Sequence, residues 1–334
     1  MKQMILRGGG LETLELQDAP SAHEPGMGEI SIRIRASSLN YHDLLVASTP
    51  GSVSAPRIPL SDGAGEIVAV GPGVSGFSVG DMVVSVFFPD WQDGPDGPSN
   101  FARVPGDGID GYARELITVP ASWVTGAPRG WSAAEAATIT TAGLTAWRSL
   151  VVNGGLKAGE SVAVLGTGGV SLYALQLAKA MGARVIATSS SDAKLERLTA
   201  LGADEMINYR KTPDWGSRIR ELTDGRGVDH VVEVGGPGTL AQSIIAARDN
   251  GHISLIGVLS GFSGEVPTAV MMRQQQRLHG LIVGSHRHQT AFIAALEATK
   301  IRPVIDQSFD LADLRAAFEY QASGKHFGKI PVLI

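Results

Sequence analysis

The sequence predicts a protein of mixed α/β and β class, a small β-barrel or sandwich followed by a doubly wound, six-stranded parallel sheet with helices on both faces. Three observations predict it. Residues 1–123 carry short alternating apolar runs broken by glycine, proline and serine. From about Gly143 the texture changes to a repeated strand, glycine turn and helix. One of those turns has its glycines spaced for a phosphate.

In the first region, Ile30, Ile32 and Ile34 alternate with polar residues and share one face of a strand. Residues 66–71 and 81–86 give further strands, separated by the turn chemistry of Pro72-Gly73-Val74-Ser75-Gly76. Between Pro89 and Gly111 periodicity disappears under Asp, Gly and Pro, which reads as an excursion loop. In the second region, residues 161–165 form a short apolar strand and residues 170–181 a helix with Leu172, Leu175, Ala178 and Met181 on one side. Gly182 stops that helix, and Gly202 stops the next. Residues 184–188, 206–209, 228–234, 252–257 and 278–283 complete the six strands. The tail returns to the first texture, with helical stretches at 290–299 and 311–320 and a strand at 329–334.

Composition narrows the function. The chain has 334 residues, enough for two domains, and 43% hydrophobic residues to fill their cores. It has no cysteine, which removes disulfides, a catalytic thiolate and thiolate zinc sites. With 28 basic and 33 acidic residues and no basic run, it is not expected to bind nucleic acid or a membrane surface, and a small-molecule partner is expected. The apolar start, Met1 to Leu6, is too short for a signal peptide, and no apolar run reaches the ~20 residues of a membrane span. A cytoplasmic location is the expectation.

The turn Gly166-Thr167-Gly168-Gly169-Val170-Ser171 joins a strand to a helix. Gly166 permits the tight turn, Gly168 lets backbone approach a pyrophosphate, and the helix start supplies N–H groups and a favourable dipole. Ser171 stands where a third glycine is usual. At the end of the second strand, where an NAD site has an acidic residue, the sequence reads Thr188-Ser189-Ser190-Ser191, with Lys194 one helical turn on. Hydroxyls and an ammonium suit a 2′-phosphate, so NADP(H) is favoured and NAD(H) remains possible. Tyr209, ending the third strand, is placed to flank adenine or phosphate. Capping of the next helix is the alternative use of Ser189 to Ser191.

Asn40-Tyr41-His42-Asp43, the run Gly63-Ala64-Gly65-Glu66, Val79-Gly80-Asp81-Met82-Val83, Thr141-Ala142-Gly143-Leu144-Thr145-Ala146-Trp147, the nucleotide turn and Gly324-Lys325-His326-Phe327-Gly328-Lys329-Ile330 together resemble the medium-chain dehydrogenase/reductase superfamily. The resemblance is to its zinc-free, alcohol dehydrogenase-like and quinone oxidoreductase-like branch. It implies a GroES-like catalytic domain at 1–142 and 284–334, a Rossmann dinucleotide domain at 143–283, and a homodimer. In zinc members two cysteines and a histidine hold the metal; the matching positions here are Asn40, Ser61 (followed by Asp62) and Thr141, so no metal is expected. The excursion loop likewise lacks the cysteines of a structural zinc site.

By the same resemblance Tyr41, His42, Asp62 and Thr141 border the substrate pocket. Tyr41 or His42 would donate a proton or hold an oxyanion, and Thr141 would orient a carbonyl or the nicotinamide amide. Besides the turn and the serines, the cofactor is expected near Asn40, Thr145, Val234, Gly257, Val258, Val283, Gly284, Phe327 and Lys329. Trp91 and Phe101 are candidate substrate walls. His286 and His288, read as lying on a loop, and Asp90, Asp93 and Asp96 are weak metal candidates, because neither set has a ligand cage. Structural uses compete, with Asp43 capping a turn, Asn40 anchoring backbone and His42 satisfied in the fold. The expected activity is hydride transfer to an activated double bond, quinone or carbonyl; an alcohol dehydrogenase or aldehyde reductase, and a nucleotide-binding protein without turnover, stay open beside it.

Overall fold

The computed structural model describes residues 1–95, 97–98 and 100–334, so Asp96 lies outside the described residues. The chain forms two compact units, Met1–Leu144 with Val283–Ile334, and Thr145–Ile282. In chain order the first stretch contains strands β1 (Lys2–Leu6), β2 (Leu14–Asp18) and β3 (Glu29–Ser38), helix α1 (Tyr41–Ser48), and strands β4 (Ala64–Val70), β5 (Met82–Ser85), β6 (Leu116–Pro120) and β7 (Val124–Gly126). Helices α2 (Ala133–Ala136) and α3 (Leu144–Trp147) follow, with a π-helical turn, Ile139–Gly143, between them. Then come β8 (Ser161–Leu165), α4 (Gly169–Ala180), β9 (Arg184–Ser189), α5 (Asp192–Ala200), β10 (Glu205–Asn208), α6 (Trp215–Leu222) and β11 (Val228–Glu233). After these are α7 (Pro237–Ala246), β12 (Ala247–Leu255), α8 (Thr268–Arg273) and β13 (Arg277–Gly280). The tail is α9 (His286–Thr299), β14 (Phe309–Asp310), α10 (Leu314–Ala322) and β15 (Pro331–Leu333).

The first unit is built on β3. Its isoleucines Ile30, Ile32 and Ile34 face one way and are at most 2% exposed, in a core with Ile67, Val83, Ile117 and Val119. A separate core packs α1 and α10 around Leu39, Leu60, Leu314 and Phe318. The main sheet runs β14-β15-β3-β4-β5-β7, with β6 on β3 as well. β6 pairs with Glu29 to Arg33, and β15 pairs antiparallel with Ala36 to Ser38. That register brings the end of the chain beside the end of β3, where Leu39 N–H donates to Ile330 O at 2.9 Å. Leu60, fully buried, takes the left-handed φ of 75° and so bends the chain sharply just before Ser61 and Asp62.

The second unit is the parallel sheet β10-β9-β8-β11-β12-β13. Strand order reverses between β8 and β11, and the crevice beyond the carboxyl ends at such a reversal is where ligands bind in open α/β sheets. Gly182 and Gly202 end their helices at φ of 80° and 94°, a conformation that costs glycine little. The sixth strand is shorter than the sequence implied and ends at Gly280; Leu281, whose N–H donates to Leu255 O at 3.0 Å, and Val283, at φ 45°, lie beyond it and are buried. Their apolar character imitated a longer strand. Among the described residues, no helix is long and apolar enough to cross a membrane.

Candidate functional site

At the end of β3 in the first unit, a closed polar circuit forms around Asp62. Asp62 Oδ2 accepts from Ser38 Oγ at 2.6 Å and Oδ1 accepts from Thr141 Oγ1 at 2.6 Å, while the carboxylate is 0% exposed. Lys329 Nζ donates to Asn40 Oδ1 at 2.6 Å and Leu39 O at 2.7 Å, and stands 3.5 Å from Asp62 Oδ2. An ammonium has three donors, and these three acceptors use them all. Ser37 Oγ donates to Asp62 O at 2.6 Å, so two neighbouring serines of β3 hold both backbone and carboxylate. Burial pushes the Lys329 ammonium below its ordinary range, opposed by Asp62 and Asp43.

Asp43, next to this circuit, fixes the loop that carries Asn40 and Ser61. Its Oδ2 accepts from Asn40 N and Asn40 Nδ2, both at 3.0 Å, and its Oδ1 from Ser61 N at 2.8 Å. The expected turn-capping use of Asp43 is thus present in its bond to the Asn40 N–H. Burial pushes the Asp43 carboxyl up, and the nearby Asp62 charge adds to that. Asn40 also donates to Ser38 O at 3.3 Å, so its amide is engaged inside the unit on both ends.

The donors at the family's zinc positions are therefore an engaged amide and two hydroxyls. None is the thiolate or imidazole that zinc prefers. Ser61 Oγ is buried without a hydrogen-bond partner, but a neutral hydroxyl beside a carboxylate already matched by Lys329 does not make a zinc cage. Among the described residues, no group of three or more His, Asp or Glu side chains is placed to hold a metal ion.

Thr141 lies on the π-helical turn, a feature often found at functional positions. Its O–H is committed to Asp62, so toward any ligand it presents lone pairs and accepts. Of its two expected tasks, this bonding suits receiving an amide N–H and not polarising a carbonyl. Tyr41 opens α1 and is 36% exposed. His42 Nε2 stands 3.3 Å from Asp107 Oδ2, ion-pair distance without hydrogen-bond geometry, and its ring lies 4.8 Å from Phe101 and 5.6 Å from Phe87. Trp91 is buried against Phe88 and His288. His286 and His288 are not on a loop: they open α9, where Ser285 Oγ caps the helix by accepting from His288 N. His286 Nε2 lies 3.0 Å from Val124 O, and His288 Nδ1 accepts from Ser285 N, so both rings serve the fold.

In the second unit, the glycine turn is built as its spacing implied. Gly166 has φ 75°, and a Cβ added at Gly166 or Gly168 would meet nothing within 4 Å, so open space lies over the backbone at the start of the twelve-residue helix α4. The first N–H groups of a helix have no intrahelical acceptor, and here Gly169 and Val170 supply them beside Thr167. Ser171, in place of the third glycine, is buried, and its hydroxyl donates to Leu165 O at 2.7 Å, tying helix to strand. The turn fits a dinucleotide pyrophosphate.

At the ends of β9 and β10, Ser189 is buried and its Oγ accepts from Ser191 N at 3.3 Å, leaving Ser190 as the more accessible serine. Lys194 is half-buried on α5, and Tyr209 is 40% exposed, its N–H donating to Ser189 O at 3.1 Å. The sequence missed Asp192 here. Its carboxylate accepts from Lys211 Nζ at 2.6 Å and Asn208 Nδ2 at 2.7 Å, and these partners hold it below the usual carboxylate range. A buried carboxylate, Glu233, was missed as well. It ends β11 and accepts from Gly235 N, Gly236 N and the hydroxyls of Thr239 and Ser243, shaping the turn that carries Val234. Gly257 passes so close that a Cβ would come within 2.0 Å of Val234 O, with Val258 following. Thr145 in this unit, and Val283 and Phe327 in the first, are buried; a Cβ on Gly284 would come within 3.1 Å of Leu144.

A unit with a buried polar circuit and a parallel-sheet unit with an open glycine turn are the parts expected of an oxidoreductase with a nucleotide cofactor. Comparison with known proteins gives the family. Residues 26–129 match the alcohol dehydrogenase GroES-like domain and residues 169–299 the zinc-binding dehydrogenase family. A zinc-type alcohol dehydrogenase-like protein of Schizosaccharomyces pombe is 40% identical, covering 97% of this chain and 96% of its own length. A crystal structure of a candidate alcohol dehydrogenase from Sinorhizobium meliloti 1021 has TM-score 0.90 at 39% identity, covering 100% of both chains. The crystal structure of an NAD-dependent alcohol dehydrogenase gives 0.89 at 33%, again over 100% of both. A mycobacterial protein complexed with NADPH gives 0.83 at 27%, also over 100% of both. The chain belongs to the medium-chain dehydrogenase/reductase superfamily, among its alcohol dehydrogenase-like oxidoreductases.

Proposed function

We propose that the chain is a zinc-independent, NADPH-dependent reductase of small molecules whose acceptor is already activated: a quinone, a conjugated double bond or a carbonyl. The observation that carries this reading is the Asp62 circuit, in which the carboxylate nearest the zinc positions is already matched by Lys329 and by the hydroxyls of Ser38 and Thr141. A divalent ion there would have to displace a buried ammonium and would then find one carboxylate among neutral amide and hydroxyl oxygens. Without a Lewis acid, an unactivated alcohol is hard to turn into an alkoxide at neutral pH. Activated acceptors need only hydrogen bonds for the charge that develops on oxygen.

The pyrophosphate rests on the N–H groups at Gly168 to Val170, and the adenosine 2′-phosphate on Ser190 and Lys194 with Tyr209 alongside. Bound in this way, the reduced nicotinamide supplies the hydride. Thr141 accepts from an amide N–H to hold orientation, and His42, with Asp107 beside it, supplies the proton that neutralises the substrate oxygen. The dimer is formed through the exposed edge of β13, the last strand of the parallel sheet, and the protein works in the cytoplasm.

The alcohol dehydrogenase descriptions of several relatives favour a second reading, an alcohol dehydrogenase or aldehyde reductase. Oxidation of NADPH and NADH with quinones, enones and aromatic aldehydes, alongside NADP⁺ reduction by alcohols, separates the two. Fastest turnover with NADPH and a quinone or enone is expected. Turnover confined to alcohols and aldehydes would establish the second reading, and NADPH binding with no acceptor reduced would leave a binding protein.

A further inference from the structure

On the first unit, away from the Asp62 circuit, a cavity of about 320 Å³ opens between β6, the turn that carries Trp123 and the residues around Ile109. Its apolar lining comes mainly from Ile109 and the ring of Trp123, while Ile117 and Val119, turned into the core of the unit, border it with little of their surface. Ligand pockets start at roughly this volume and usually pair such walls with a few polar groups that fix orientation. Of the polar side chains in the lining, His23, Asp110, Arg114 and Thr118, the cation is Arg114.

Arg114 Nε donates to Gly111 O at 3.0 Å, which fixes the plane of the guanidinium. Among the described residues, its two terminal nitrogens have no hydrogen bond, and no carboxylate lies within 4 Å of it. Asp110, in the same wall, is committed elsewhere: its Oδ1 accepts from Ile58 N at 3.1 Å and Arg57 Nη1 at 3.4 Å. His23 lines the cavity with its Nδ1 turned to Glu24 O at 2.9 Å and 3.9 Å from Glu29. Burial pushes the Arg114 guanidinium below its usual range, with Asp110 and the Tyr112 phenol opposing from a distance. The terminal nitrogens of half-buried Arg114 stay open to solvent, and a carboxylate that meets them edge-on makes two parallel charged hydrogen bonds.

We infer that this cavity is a second small-molecule site, which binds an organic monocarboxylate with an apolar body. The carboxylate pairs with the free edge of Arg114, and an aromatic ring or short alkyl chain lies along Ile109 and the indole of Trp123. The inference does not depend on the proposed reductase activity, since none of these residues belongs to the Asp62 circuit or the phosphate turn.

The test is calorimetric titration of the whole protein with benzoate, 3-phenylpropanoate and octanoate, with the corresponding amides as neutral controls. Saturable binding of the acids with one site per chain is expected, with the amides and the Arg114→Gln variant at least tenfold weaker. Spectra of ¹⁵N-labelled protein should show the Trp123 indole N–H shifting as the site fills, assigned with Trp123→Phe. Absence of saturation by any of the acids, or equal affinity in a folded Arg114→Gln variant, would overturn the inference. If Arg114→Gln does not fold, Arg114→Lys replaces it. A compact ammonium lacks the bidentate fork, so weaker binding is expected, and unchanged affinity together with an unmoved Trp123 signal would be equally fatal.

Discussion

At the scale of single residues, Lys329 is the group on which the site turns. Its three acceptors leave no donor unsatisfied, and it matches the buried Asp62 charge. Replacing it with methionine leaves that carboxylate with two hydroxyls alone. Breaking one side of a buried pair costs about 3–5 kcal/mol, so Lys329→Met should lower the urea midpoint sharply, whereas Lys329→Arg should recover part of the loss. Equal stability of Lys329→Met and wild type would mean that Asp62 needs no counter-ion. Cofactor choice is a residue-scale matter too. Ser189 is buried, so a carboxylate there would test folding; Ser190→Asp sets the charge against a 2′-phosphate in a more open place. The ratio of NADPH to NADH affinity should fall at least tenfold, read by fluorescence titration of the apoprotein, and an unchanged ratio would remove these serines from the phosphate site. Asp62 was visible in the sequence as a neighbour of the zinc positions. Its tie to Lys329 was not, because 267 residues separate them and only the pairing of β15 with β3 brings them together.

At the scale of elements, periodicity carried most of the information. The alternation of Ile30, Ile32 and Ile34 identified β3, and glycines at 166, 182 and 202 marked turns whose positive φ requires them. Where hydrophobicity had another cause the reading failed, as at the end of β13, where Leu281 and Val283 are buried beyond the last strand residue, Gly280. Asp107 and Asp192 were missed because a loop acid and a helix-opening acid carry no periodic signal. One consequence of the sheet was also invisible. His230, His252 and His279 come from β11, β12 and β13, with ring centroids 5.8 and 6.2 Å apart along the row. Burial, reinforced by His230, Arg277 and His279, pushes His252 down to about 4, and its Nε2 is buried without a partner. The native state therefore resists a proton that the unfolded chain takes up near pH 6.5. Stability contributed by neutral His252 is present above that pH and is lost progressively as pH falls toward 4. Urea unfolding between pH 7 and pH 4 should cost the wild type about 2 kcal/mol more than His252→Gln, after discounting for solvent screening. Parallel pH profiles would show that His252 is not the responsible group.

For the whole molecule, superfamily and fold class were legible from motifs spread along the chain, because turns, strand ends and helix starts impose residue types locally. The chemistry was less legible. Absent cysteines say which ligands are missing, but not which bonds the residues at those positions make, and the hydrogen-bonded circuit of Asp62, Lys329, Asn40, Ser38 and Thr141 was not legible from them. The proposed hydride transfer without a metal is a property of the whole purified protein. It is tested most directly by measuring zinc per chain by plasma mass spectrometry, together with NADPH-dependent turnover before and after dialysis against a strong chelator. Zinc far below one per chain, with turnover unchanged by the chelator, is the predicted result. One zinc per chain, with activity lost on its removal and restored on its return, would contradict the account.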